Sequence, residues 1–245
     1  MELYLIRHAQ SANNHAYDTG GERQPDPPLT ELGHRQAQAL AAYLATRRPA
    51  PDTLQARRQD RGGYTFTHLY TSLMLRAVVT ATYVAQAIGL PLRAWTEIHE
   101  RGGLHGIAPE TGEVIGVAGP NRAYFVAEHP HLLLPDTLGE SGWWNRERER
   151  EEEFAPRAAA VWRELLARHG SDDRVALITH GGFYHSFMAV LLGGNAPALP
   201  AELGVSGWWL GIANTGITHL SIDDRGVYVC YTNRVEHLPD EWLSS

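Results

Sequence analysis

Three short apolar runs, each ending abruptly on charged or imidazole residues, constrain this 245-residue chain more than any other feature. Leu3 to Ile6 stops at Arg7-His8. Thr67 to Thr71 leads to Ser72 and Arg76, and Val175 to Ile178 leads through Thr179 to His180-Gly181-Gly182. Runs of four or five such residues are too short for helices and read as strands buried on both faces. Between them lie helical patterns. Residues 30–44 carry helical spacing behind Thr30 as N-cap, and Leu75 to Ile88 ends at Gly89 and Pro91. Leu92 to Trp95 reads as a further strand, Phe183 to Leu192 as a helix, and Gly211 to Ile222 with Val227 to Tyr231 as two last strands joined by an Asp-Asp-Arg-Gly turn. Strands alternating with helices predict an α/β fold, a three-layer α/β/α sandwich around a mostly parallel central sheet. The length suits a single domain over 1–245.

Other segments carry weaker signals. Residues 46–63, rich in Arg, Gly and Pro, read as a solvent-facing connection. Residues 101–140 lack a clean period, which predicts an inserted lid over the site, approximately 101–145. Its rings Tyr124, Phe125, Trp143 and Trp144 would either wall a leaving group or pack the lid on the domain. The charge run Arg146 to Glu153 is expected to open a helix reaching about His169, with a solvated face and pairs such as Arg148 with Glu151 and Glu152. Cys230, the single cysteine, sits in an apolar run as an expected buried strand residue; alone, it excludes an intramolecular disulfide and a cysteine-based zinc site.

Composition removes several functions. A net charge of −7 argues against general nucleic-acid or anionic-membrane binding. All 21 basic residues are Arg, so mechanisms built on a lysine amine are excluded, among them Schiff-base aldolases, pyridoxal-phosphate enzymes and P-loop NTPases. No apolar run approaches 18 residues and no signal-peptide pattern opens the chain, which predicts a cytoplasmic protein without membrane contact.

The polar interruptions after the strands carry the chemistry. Ligands in open α/β sheets bind beyond the carboxyl ends of strands, where two Arg, two His and a glycine-rich helix start would meet. That set suits a phosphoryl group, with its three oxygens, better than a carboxylate. Without Lys, a usable Cys or an evident metal cage, an imidazole nitrogen is the remaining nucleophile. His129 and His131 flank Pro130 and read as a surface pair rather than a metal site. Gly139-Glu-Ser-Gly142 lacks the last glycine of a nucleophile elbow and reads as a helix-capping or structural element.

Three segments together resemble the histidine phosphatase superfamily, also called phosphoglycerate mutase-like: Arg7-His8-Ala9-Gln10-Ser11-Ala-Asn-Asn14, then Ser72 with Arg76-Ala77 and Thr80-Ala81, then His180-Gly181-Gly182. The resemblance departs at Ala9, where the family often has Gly. It implies that His8 is phosphorylated, that Arg7, Arg76 and His180 hold the phosphoryl oxygens, and that Asn14 adds a contact. It further implies a general acid after the third strand. Glu100, followed by Gly102-Gly103, fits that register, and Glu97 is the rival. The implied activity is hydrolysis of small phosphorylated substrates through a phosphohistidine, with no metal or cofactor. Its alternatives are a phosphoglycerate mutase and a non-catalytic member that binds a phosphorylated ligand.

Overall fold

The computed structural model describes residues 1–193 and 209–245. In chain order its elements are β1 (Glu2–Arg7), α1 (Ala12–Thr19), α2 (Glu31–Ala45), α3 (Leu54–Arg58), β2 (His68–Thr71), α4 (Leu75–Ile88) and β3 (Leu92–Ala94). They continue with β4 (His105–Ile107), β5 (Val114–Gly116), α5 (Arg122–Glu128), β6 (Leu132–Leu133), α6 (Glu151–Arg168), β7 (Arg174–Thr179), α7 (Gly181–Leu191), β8 (Ile217–Asp223) and β9 (Gly226–Arg234). Seven strands form one sheet in the order β6-β3-β2-β7-β1-β8-β9. The first five run parallel, while β8 and β9 are added antiparallel.

Alternation along β1 builds both cores. Tyr4 and Ile6 point to the face covered by α2 and α4, with Leu40, Leu44, Ala77 and Val84. Leu3 and Leu5 point to the other face, covered by α6 and α7 through Val161, Leu165, Phe183 and Phe187. Two covered faces make three layers, and they explain why the central strands read as unbroken apolar runs. Helix boundaries follow local chemistry. The Thr30 side chain accepts from the Gly33 N–H at the start of α2, and Gly89 takes up the left-handed conformation (φ +69°) that closes α4.

Several expectations need correction. The 101–145 segment, expected as an inserted lid, holds the β4–β5 hairpin and α5, and β6 joins the edge of the main sheet beside β3. The 46–63 connection contains α3 and buries Asp60, which receives hydrogen bonds from Tyr4, Tyr231 and Arg174. Cys230 is only half-buried, because β9 is an edge strand. Helix α6 begins at Glu151 rather than Arg146, and Arg150 pairs with Glu152 and Glu153 in place of the expected Arg148 pairs. Glu149, taken for part of a solvated face, is buried against Arg157. The Gly139–Gly142 segment does have a structural role beside the start of α5, where the Gly139 carbonyl accepts from the Arg122 N–H at 3.3 Å. Ser141 accepts from Asn145, and Gly142 (φ +84°) packs against the Gly119 carbonyl, where a Cβ would lie 2.1 Å from the oxygen.

Candidate active site

Parallel register places the ends of β1, β7 and β2 level: Arg7 lies beside Thr179, and Ile178 beside Thr71. The residues that follow, His8, His180 and Ser72, therefore meet at one edge of the sheet. His8 is buried, its Nδ1 2.7 Å from the Ala9 carbonyl oxygen. Its other nitrogen, Nε2, accepts from Arg76 Nε at 3.1 Å. The carbonyl contact requires hydrogen on Nδ1, which leaves the lone pair on Nε2. Burial, and after it the charges of Arg76 and Arg7, hold the His8 imidazole well below its ordinary pKa. The ring is neutral at pH 7.

His180 lies behind it, fully buried, with ring centroids 5.0 Å apart and Nε2 2.7 Å from the Ser72 hydroxyl. Burial and Arg76 depress its pKa strongly too. Arg7 donates through Nη1 to the Ile212 carbonyl at 2.7 Å. Its Nε, like Nη1 of Arg76 and Nδ1 of His180, is buried without a hydrogen-bond partner among the described residues. A buried polar group left unpaired costs about 1–3 kcal/mol, and the two guanidinium nitrogens among these atoms are donors whose geometry suits an anion. The nearest carboxylate to Arg76 is Asp26, 3.6 Å away, and burial pushes the Asp26 carboxyl up to about 6 despite Arg76 and the Leu75 N–H.

Glu100 occupies the facing wall. Its carboxylate accepts from the Arg101 N–H at 2.7 Å and from the first turn of α7, Gly182 N–H at 3.1 Å and Phe183 N–H at 3.0 Å. The first turn of α7 thereby uses two of its otherwise unpaired N–H groups to hold the Glu100 carboxyl group in place. Gly182 is what permits the approach, since a Cβ there would stand 2.4 Å from Glu100 Oε1. Glu97 is exposed and lines no part of the cleft, although its carbonyl accepts from Arg157.

These residues open into a cleft of about 890 Å³ lined by Arg7, His8, Asn14, Arg76 and Glu100. Asn14 is committed to the fold as well: its Oδ1 accepts from the Ser11 backbone N–H at 3.0 Å, closing the capping box of α1. Among the wall residues that the sequence did not single out are Tyr17, Arg23, Arg101 and Trp209. Arg101 spans between Phe154 and Trp209, and Trp209 stacks on His185 with centroids 4.1 Å apart. Only the position of Arg101 beside Glu100 could have signalled any of them. Of the 101–145 segment, Arg101 alone lines the cleft. Phe125, Trp143 and Trp144 are buried in the core, so they pack the segment on the domain instead of walling the site.

Comparison with known proteins gives a consistent picture. The family described as histidine phosphatase superfamily (branch 1) matches residues 3–234. A 2,3-bisphosphoglycerate-dependent phosphoglycerate mutase from Chelativorans sp. (strain BNC1) is 34% identical over 89 residues, 36% of this chain and 35% of that protein, so the match spans about a third of the relative's length. A mycobacterial glucosyl-3-phosphoglycerate phosphatase, solved with VO3, covers 96% of this chain and 99% of its own at 22% identity and a TM-score of 0.54. A phosphoserine phosphatase from Entamoeba histolytica, solved with 3-phosphoglyceric acid, covers 97% and 99% at 17% identity and a TM-score of 0.56. At these identities the two structures establish likeness of fold.

Proposed function

The chain belongs to the histidine phosphatase superfamily, and from that membership we propose that it hydrolyses small phosphomonoesters through a phosphohistidine on His8, with no metal ion in the reaction. One observation carries the reading. A buried, neutral imidazole has its Nδ1 fixed on the Ala9 carbonyl and its Nε2 lone pair among two guanidinium groups, in a cleft that also holds the Glu100 carboxylate. Nε2 attacks phosphorus in line, forming the N–P bond as the ester P–O bond breaks, and protonated Glu100 gives its proton to the leaving oxygen. The resulting carboxylate then takes a proton from water, whose oxygen attacks phosphorus. The N–P bond breaks, phosphate leaves and His8 is restored. Arg7, Arg76 and His180 hold the oxygens of the transferring group, and the two guanidinium charges oppose the charge developing on them. Asn14 adds a contact at the rim.

The mutase named among the relatives favours a second reading, in which the phosphoryl group returns to bound substrate instead of to water. One experiment tests both. Enzyme quenched during turnover of a ³²P-labelled monoester is expected to carry an acid-labile, alkali-stable label that His8→Ala abolishes, and free phosphate should accumulate from several unrelated esters. An acid-stable, alkali-labile label would overturn the histidine mechanism. Interconversion of 2- and 3-phosphoglycerate faster than phosphate release would establish the mutase.

A further inference from the structure

At the opposite end of the sheet from the cleft, two imidazoles and a carboxylate converge. His68 is the first residue of β2, His169 follows the last turn of α6, and Asp173 immediately precedes β7. Because β2 and β7 are neighbouring parallel strands, their starting ends lie side by side. One ring nitrogen from each histidine and a carboxylate oxygen all fall within 4.8 Å of one another. Asp173 faces both rings. Its Oδ2 is 3.2 Å from His169 Nδ1, and its Oδ1 is 3.7 Å from His68 Nδ1. Donors around a tetrahedral zinc ion, at about 2.0–2.2 Å from the metal, stand roughly 3.3 Å from each other. The two distances to Asp173, through different oxygens of its carboxylate, bracket that spacing.

We propose that His68, His169 and Asp173 form a binding site for one divalent transition-metal cation of the zinc class, remote from catalysis. Two imidazoles and one carboxylate suit zinc rather than magnesium, which prefers oxygen donors throughout. The surroundings are those of a metal site. The Tyr70 hydroxyl lies 3.3 Å from His169 Nε2, as an outer partner that orients the ring, and the Gly170 N–H donates to Asp173 Oδ2 at 3.0 Å. His169 is buried while His68 and Asp173 are partly exposed, so a cation has both a floor and an entrance. Bound there, it would tie the end of α6 to the entries of two central strands. The seven-residue step from Asp173 to His180 along β7, at about 3.3 Å per residue, sets this site roughly 20 Å from the catalytic residues. A second cluster, Glu2, His219 and Cys230, offers a single imidazole where the first offers two.

The test is equilibrium dialysis of the full chain against micromolar Zn²⁺ after chelation and desalting, in a His8→Ala background that disables the catalytic imidazole pair. One zinc per chain is expected, with no Mg²⁺ bound. His68→Gln and His169→Gln, each added to that background, should weaken zinc binding by at least about tenfold, and should abolish any zinc-dependent rise in melting temperature. With His8 restored, His68→Gln should leave turnover unchanged, as should chelation of the wild type. Equal zinc binding by His8→Ala with and without His68→Gln would overturn the assignment, as would no zinc binding at 100 µM. If His169→Gln fails to fold, the half-exposed His68→Gln and Asp173→Asn decide on their own.

Discussion

Glu97 and Glu100 stand three residues apart, yet only Glu100 turns into the cleft, where Arg101, Gly182 and Phe183 grip its carboxylate through their backbone N–H groups. If Glu100 protonates the leaving oxygen, Glu100→Gln should cut kcat on alkyl phosphates by about 10²–10⁴-fold. Phosphorylation of the enzyme by p-nitrophenyl phosphate, whose leaving group needs little protonation, should suffer far less. Glu97→Gln should leave both rates near wild type; stopped-flow and steady-state rates on paired substrates would show it, and a leaving-group-dependent defect in Glu97→Gln would reverse the roles. His8, Arg76 and His180 were legible in the sequence because each is a polar residue set directly after an apolar run or at a strand-to-helix junction, where a core cannot explain it. Tyr17, Arg23 and Trp209 were not legible. They come from exposed stretches outside the strands, where nothing in the local pattern distinguishes a cleft wall from ordinary surface.

Between residue and molecule, the single helical turn carrying Glu97 and Ile98 is held from below by a buried ion pair. Arg157, on α6, bonds Glu149 through two nitrogens and donates Nη1 to the carbonyls of Glu97 and His99. Glu149 also accepts from the Gly102 N–H, so the backbone on both sides of Glu100 rests on one pair. Arg157→Met would leave a buried carboxylate unpaired, a loss of about 3–5 kcal/mol. Its residual activity should show the leaving-group dependence of Glu100→Gln, because the acid is mispositioned. Urea unfolding alongside the paired-substrate assay measures the two effects separately, and a destabilised variant with an undistorted substrate profile would refute the positioning role. The sequence hid Glu149 inside an alternating charge run, for which a solvated helix face is the ordinary outcome, and placed its partner Arg157 beyond that run. Strand order was hidden as well: the two-residue β6 has too little chain to produce a period.

At the scale of the molecule, buried histidines set how stability follows pH. His8, His99 and His180 are held neutral by burial first, with Arg charges adding to it. Their folded pKa values are lowered, so the stability they contribute is present above the unfolded value of about 6.5 and is lost as pH falls below it. His219 has the opposite sign. Burial alone would lower its pKa, but hydrogen bonds to Asp60, Cys230 and Glu2 raise it to about 10. Its contribution is complete below 6.5 and drains away as pH climbs through 10. Asp26, raised to about 6, opposes folding increasingly as pH rises from 3.8 to 6, a single carboxyl against three imidazoles. Urea midpoints measured from pH 4.5 to 9.5 should therefore peak near 6.5 and fall more steeply on the acid side, each group contributing up to about 1.4 kcal/mol per pH unit. His219→Gln should flatten the alkaline limb alone; an unchanged alkaline limb would remove the network from the account. The order of the strands also has a consequence for biosynthesis. Among the described residues, the strand that leads to His8 pairs with β7 and β8 alone, and β7 begins 172 positions after β1 does. At roughly 5–20 residues per second, a ribosome needs about 10–30 s to supply that partner. Throughout that interval the backbone of Leu3 to Ile6 lacks the strand partners it has in the sheet, although α2 and α4, which cover one of its faces, are already made, so the segment leading to His8 is an unpaired strand edge until β7 follows.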